Sequence, residues 1–209
     1  MSMLTNQPIR DLASLQALVG GEPHPVAPMK VFDHIDTRAA AFIARAPFLL
    51  IATSDSDGKI DVSPKGDAPG FARLENESTL WLPDRPGNRL IMGLKNILSN
   101  PRIGLLFIVP GTEETLRVNG RAEIHAAPKI LEKLAARGRP ALVATRIEVE
   151  ECFFHCAKAF RRSGLWQSDN WPERVHISFG EILAPLLGGG AKEVAEIDAF
   201  VEQDYREHM

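Results

Sequence analysis

Three polar clusters between Ile60 and Gly120 hold the residue types most able to do chemistry. They are Val62-Ser63-Pro64-Lys65-Gly66-Asp67, Pro83-Asp84-Arg85-Pro86-Gly87-Asn88-Arg89 and Thr115-Leu116-Arg117-Val118-Asn119-Gly120. Each sits at the end of an apolar run or along one, and each brings cations or amide groups. Cations and backbone N–H groups converging near a helix start are what a phosphate requires. The clusters therefore read as a site for a phosphate-bearing cofactor on a β-barrel.

Taken singly, the residues leave alternatives open. Lys65 is either a phosphate ligand or a solvated loop lysine, and its place at a strand end beside Gly66 makes the two readings about equal. Arg85, Asn88 and Arg89 carry more together. A helix start with a cap asparagine and flanking guanidinium groups offers N–H donors, a favourable dipole and forked donors to one anion. The other reading is a capped surface helix. Arg117 and Asn119 lie on the polar face of an alternating strand. If that face lines a cleft, Thr115 and Arg117 are placed to bond a polar ring edge or a phosphate. Gly120 in mid-strand admits a close backbone approach. Trp166 either stacks on a planar cofactor or packs on the core, the commoner fate of a tryptophan. His155 and His176 have no paired carboxylate or nucleophile at recognisable spacing. No G-x-S-x-G, H-E-x-x-H or phosphate-loop motif is present, so hydrolase chemistry is not indicated. The Gly188–Gly190 triplet lacks the strand and helix context of a dinucleotide fingerprint and reads as a linker.

The elements that position these clusters follow from periodicity. A short helix is expected over residues 11–19, then an extended proline-rich segment, then a helix capped by Asp36 or Thr37 and running to Arg45. Phe48 to Thr53 reads as a buried strand, Asp57-Gly58 as a two-residue hairpin turn, and Ile60 to Ser63 as the returning strand, with Pro64 ending regular pairing. A third strand is expected at Thr79–Leu82. A helix should follow Asn88, with Leu90, Ile91, Leu94, Ile97 and Leu98 on one face. Strands are expected at Ile103–Val109, Glu114–Ile124 and Ala141–Phe154, with a helix over 128–137 and another from about Lys192. Six or so strands with flanking helices make an antiparallel barrel with helical additions. The expected division is an N-terminal helix and arm at 1–35, a barrel domain at 36–187 and a C-terminal helix at 188–209.

Composition excludes several classes. At 209 residues, with 44% hydrophobic and 24% charged residues, the chain is sized for one well-buried core. A net charge of −3 gives no sign of a nucleic-acid partner. No stretch approaches the roughly 20 apolar residues of a membrane span, and no secretory signal is evident. Two cysteines, Cys152 and Cys156, do not make a disulfide framework, and a reducing cytoplasm is expected. A metal site of Cys152, His155 and Cys156 lacks further ligands at motif spacing. A buried thiol pair near a strand end is the expectation there.

In order, Val62-Ser63-Pro64-Lys65-Gly66-Asp67, Leu82-Pro83-Asp84-Arg85-Pro86-Gly87-Asn88-Arg89, Asn96-Ile97-Leu98-Ser99-Asn100-Pro101 and Leu116-Arg117-Val118-Asn119-Gly120-Arg121-Ala122 resemble the pyridoxamine 5′-phosphate oxidase-like, FMN-binding split-barrel superfamily. The resemblance covers roughly residues 35–180. It implies a mainly β fold with flanking helices, a split barrel, and an obligate-type homodimer with FMN at the subunit interface. It gives the FMN phosphate to Lys65 and Arg89, and the isoalloxazine and ribityl surroundings to Val62, Ser63, Pro83 and Asp84. Thr115 is the nearest match to a polar residue facing the flavin, and Trp166 to a tryptophan packing on it from the partner subunit. The chain departs from true pyridoxamine phosphate oxidases at Arg174-Val175-His176-Ile177-Ser178, which lacks the last two members of their substrate-gripping run. It also has Ile60 and Asp61 where their second-strand motif opens with arginine. The implied activity is an FMN-dependent oxidoreductase acting on a small organic substrate or nicotinamide. A flavin sensor or carrier without turnover, or a barrel holding a deazaflavin or haem, are the alternatives.

Overall fold

The computed structural model describes residues 8–208. Its strands are β1 (Phe48–Ser54), β2 (Ile60–Gly66), β3 (Arg73–Asn76), β4 (Thr79–Asp84), β5 (Arg102–Ile108), β6 (Thr115–His125) and β7 (Val143–His155). Its helices are α1 (Leu12–Val19), α2 (Thr37–Arg45), α3 (Met92–Ser99), α4 (Pro128–Lys133), α5 (Lys158–Ser163), α6 (Phe179–Leu183) and α7 (Ala191–His208). The strands form one antiparallel sheet in the order β2-β1-β5-β6-β7-β4-β3. Alternation along the strands puts Leu49 and Ile51, Ile103, Leu105 and Phe107, and Leu116 and Val118 on one buried face. Leu80 and Leu82, Ile147 and Val149, and Ala39 and Ile43 of α2 complete this core. Each fully buried aliphatic side chain of this size contributes about 1.5–3 kcal/mol.

The sheet is curled. β2 lies at one flank and β4 near the other, five places apart in the order, yet Lys65 of β2 pairs with Asp84 of β4. Beside them Arg85 Nε lies 2.8 Å from Asp67 Oδ2. These two pairs link the ends of strands that share no ladder. Between β6 and β7 the register shifts at Asn119/Gly120, where Glu150 is the extra residue of a bulge. A Cβ at Gly120 would stand 2.0 Å from the Glu148 carbonyl oxygen, so the glycine admits the neighbouring strand's own backbone.

Several local expectations are corrected. The β1–β2 connection is wider than a two-residue turn. Asp55 N donates to Lys59 O, and Gly58 takes φ +82°, giving a three-residue loop. Pro64 does not end pairing, because β2 is an edge strand where the missing N–H costs nothing, and the ladder runs to Gly66. The polar segment before Thr79 supplies a short edge strand, β3. α3 starts at Met92 rather than after Asn88. Its N-cap Ile91 is left-handed with no side-chain cap, and Asn88 Oδ1 accepts from Leu90 N within the preceding loop. Cys152 is buried but Cys156 is exposed, so the two thiols are not a buried pair.

Candidate functional site

The first two clusters meet at the open edge of the barrel. β2 alternates so that Asp61, Ser63 and Lys65 are partly buried while Ile60, Val62 and Pro64 face out. Val62 is 56% exposed, an apolar strip on an unpaired edge. Ser63 Oγ donates to Asp61 Oδ2 at 2.8 Å. Pro83 and Asp84 end β4, placed by the ladder of that strand with β7. The Lys65 and Asp84 side chains are 29% and 16% exposed, so their ion pair is partly desolvated. Water screens it less than a surface pair. The same holds for Arg85 with Asp67, and here one donor is left over. Arg85 Nη1 is buried without a partner. An unpaired buried guanidinium donor costs free energy that an anionic ligand would recover.

The loop from Arg85 to Ile91 joins β4 to α3. Arg89 (φ 61°) and Ile91 (φ 48°) are both left-handed without being glycine. Such backbone costs on the order of 1–3 kcal/mol each and clusters at ligand sites. Arg89 makes no ion pair with any described residue. Past the loop, α3 docks at the opposite end of β2. A Cβ on Gly93 would lie 3.4 Å from Asp61 Oδ2, and Asn96 and Asn100 donate to Thr53 and Ser54 of β1. Lys65 and Asp61 are four residues apart on an extended strand, about 13 Å. The helix start and Lys65 therefore lie at opposite ends of the β2 edge instead of surrounding one point. A cleft of about 380 Å³ lies at the helix end, lined by residues including Lys59, Asp61, Lys95 and Asn96.

The remaining expected residues lie elsewhere. Arg117 shares a row of the outer sheet face with Pro64, Leu50 and Leu106, three strands from Pro64 and so about 14 Å away. Thr115 is buried at the start of β6, opposite His155. Trp166 donates its indole N–H to Thr112 O at 2.9 Å and stacks on Phe160, centroids 5.5 Å apart.

Sequence reasoning missed Asp67 as a partner of Arg85, and it missed a basic cluster around Phe153. Lys30 Nζ lies 5.8 Å and Arg117 Cζ 5.4 Å from the Phe153 ring centroid, and the His155 ring lies 5.3 Å from it. Lys30 lies far from the others in sequence, on the N-terminal arm, so no spacing could have pointed to it. Burial, then the charges of Arg117 and Lys30, hold the His155 imidazolium below the ordinary histidine range. Among the described residues no group of three or more metal-ligating side chains could hold an ion, and no helix is long and apolar enough to cross a membrane.

With this geometry in place, comparison defines the class. Residues 35–156, more than half the chain, match the family profile of pyridoxamine 5′-phosphate oxidase. The protein belongs to that family, as its curled antiparallel sheet and ordered motifs imply. Among solved structures it is similar to HupZ of group A Streptococcus, at 23% identity over 57% of this chain and 93% of that one, with a TM-score of 0.47. A Clostridium acetobutylicum protein related to general stress protein 26, of the pyridoxinephosphate oxidase family, aligns at 15% identity over 56% and 85%, TM-score 0.44. An FMN-binding protein from Syntrophomonas wolfei aligns at 6% identity over 56% and 88%, TM-score 0.43. Comparison with curated protein sequences gives no match.

Proposed function

We propose that the protein is an FMN-binding homodimer and an FMN-dependent oxidoreductase acting on a small organic substrate or nicotinamide. The observation that carries this reading is the cationic cluster at the end of β2 and β4, beside the open β2 edge. Together they offer an apolar strip at Val62 and Pro64, cations at Lys65, Arg85 and Arg89, and a buried Arg85 donor with no protein partner. An extended ligand with a flat ring system and a charged tail suits that edge, and family membership makes FMN the first choice.

In this reading Val62 and Pro64 form the floor under the ring. Ser63, Pro83 and Asp84 line its polar edge, and Arg89 and Lys65 are the phosphate contacts. Asn88 fixes the turn that presents Arg89. Lys65 has to exchange Asp84 for the ligand, or hold both. When bound, the flavin supplies the redox chemistry, and the protein holds it and leaves one face open. Thr115, Arg117 and Trp166 reach the flavin only from a second copy. The outer sheet face of Phe48, Leu50, Leu106 and Ile108, continuous with exposed Ile60 and Val62, is the surface such a copy would cover. An isologous pairing lays the β2 edge of each protomer against the β6 region of the other.

The test is a flavin titration followed by visible absorbance after removal of excess ligand. Oxidised-flavin bands should stay with the protein. Replacing Lys65 and Arg89 together by alanine should weaken binding by about 2–4 kcal/mol. Unchanged affinity would remove the phosphate assignment, and loss of all added FMN would turn the reading toward a deazaflavin or haem. Sedimentation should give a dimer; a monomer that keeps FMN would overturn the interface site.

A further inference from the structure

The outer sheet face carries a second basic cluster, three strands from β2 of its own protomer. Arg117 stands on β6 and Phe153 opposite it on β7, with His155 two residues further along. Lys30 arrives from the N-terminal arm, anchored by its own bond to Phe154 O at 3.0 Å. All three basic side chains converge on the Phe153 ring. His155 Nε2 is buried with no hydrogen-bond partner. The nearest acid on this face, Glu151 in the adjacent row, is engaged by Asn119 Nδ2 at 2.7 Å. Thus two cations and an imidazole with an unsatisfied ring nitrogen surround the Phe153 ring, and none of the three makes an ion pair with a described carboxylate. The buried ring nitrogen left without a partner is costly unless a ligand completes it.

We propose that Lys30, Arg117 and His155 form an anion clamp that takes the carboxylate or phosphate group of the substrate. Arg117 provides a forked donor, Lys30 a point charge, and His155 a ring nitrogen that bonds the same anion. The identification of the anion's bearer as substrate rests on the flavin reading. Under that reading the pairing of outer faces sets each clamp across from the β2 edge of the other protomer, so an anionic tail held here leaves the body of the molecule toward the flavin. The clamp itself rests only on its own residues.

The experiment is a titration of the full chain with inorganic phosphate and, separately, with acetate, read by the His155 Cε1–H NMR resonance assigned through its loss in His155→Gln. A saturable shift with phosphate identifies a phosphate ester as the ligand group, and one with acetate a carboxylate. Either supports the clamp if Arg117→Gln weakens the response roughly 10- to 100-fold and Arg117→Lys recovers part of it. Lys30→Met, on an exposed side chain, gives the same direction without risk to the fold. A resonance unmoved by both anions, or moved equally in Arg117→Gln and Lys30→Met, overturns the proposal. FMN retention is measured on the unsubstituted protein, because Arg117 is itself placed near the flavin of a second copy. Retained flavin with a silent His155 removes the clamp alone, whereas lost flavin with a responding His155 removes the flavin reading and leaves the clamp.

Discussion

The barrel and its flanking segments solve the burial problem differently. Between residues 35 and 156 the strands and α2 close on a continuous core in which Phe107, Leu49 and Leu116 have no exposed surface. On either side almost nothing is buried. No residue from 8 to 34 is buried, and among the described residues beyond 156 only Ala157, Gly180 and Ala184 are. α1 still carries Leu12, Leu15, Leu18 and Val19, and the C-terminal segment carries Leu186, Leu187 and Phe200, all exposed. The flanks are attached by polar contacts: Lys30 to Phe154 O, Trp166 to Thr112 O, Arg161 to Glu113 and Arg139 to Glu207 O. Such contacts are individually worth little in water. The barrel thus holds itself together, while the flanks carry exposed apolar surface.

The largest contrast should come from cavities. Phe107→Ala removes a ring at the centre of the core and should cost about 3–5 kcal/mol in denaturant unfolding. Leu187→Ala, 78% exposed in the flank, should stay within about 0.5 kcal/mol. Comparable losses at both sites would mean that the flank is packed against the barrel in solution, and the distinction would fall. Glycines give the next contrast. Gly120→Ala drives a methyl group into the Glu148 carbonyl, a backbone atom that cannot yield without opening the β6–β7 ladder. A cost of about 1–3 kcal/mol is expected. Gly190→Ala meets nothing closer than the end of the Glu193 side chain at 4.0 Å and should be nearly silent.

The same division governs what the sequence revealed. Strands whose alternation reports a buried face, such as Leu116-Arg117-Val118, were legible because period two records burial directly. β3 was not, since Arg73-Leu74-Glu75-Asn76 is an edge with little to bury. Asn88 had the right chemistry for a cap, but tertiary docking through Asn96 and Asn100 starts α3 at Met92 and leaves Asn88 to shape the loop. Lys65 and Arg89 could be singled out from composition and order. The partners of Lys65 and Arg85 could not, because Asp84 and Asp67 face them only after the sheet curls. The Phe153 cluster depends on an arm crossing back over the sheet, where Phe32 bridges Cys152. Local patterns hold no record of that.

The smallest contrast uses one interaction in two places. Asp36 caps α2 by accepting from Ala39 N at 2.8 Å, and Asp11 caps α1 by accepting from Ser14 N at 2.8 Å. The bond is the same, but α2 inserts Ala39 and Ile43 into the core while α1 buries nothing. Asp36→Ala should lower barrel stability by about 1 kcal/mol. Asp11→Ala should loosen α1 and leave the barrel's unfolding midpoint where it was. The pH dependence follows the same logic. The bond from Ala39 N, aided by Arg38, holds the Asp36 carboxyl below its ordinary value of 3.8. Its contribution is complete above that value and is lost as the pH falls through the lower folded value, because the unfolded chain takes up the proton first. Asp11 is also lowered, by its bonds to Ser14, yet it should leave no mark on barrel stability in acid. If Asp11→Ala shifted the barrel midpoint as far as Asp36→Ala does, α1 would be coupled to the core through a surface it does not reach within one chain. Concentration dependence of that shift would then distinguish a second copy from a rearranged monomer.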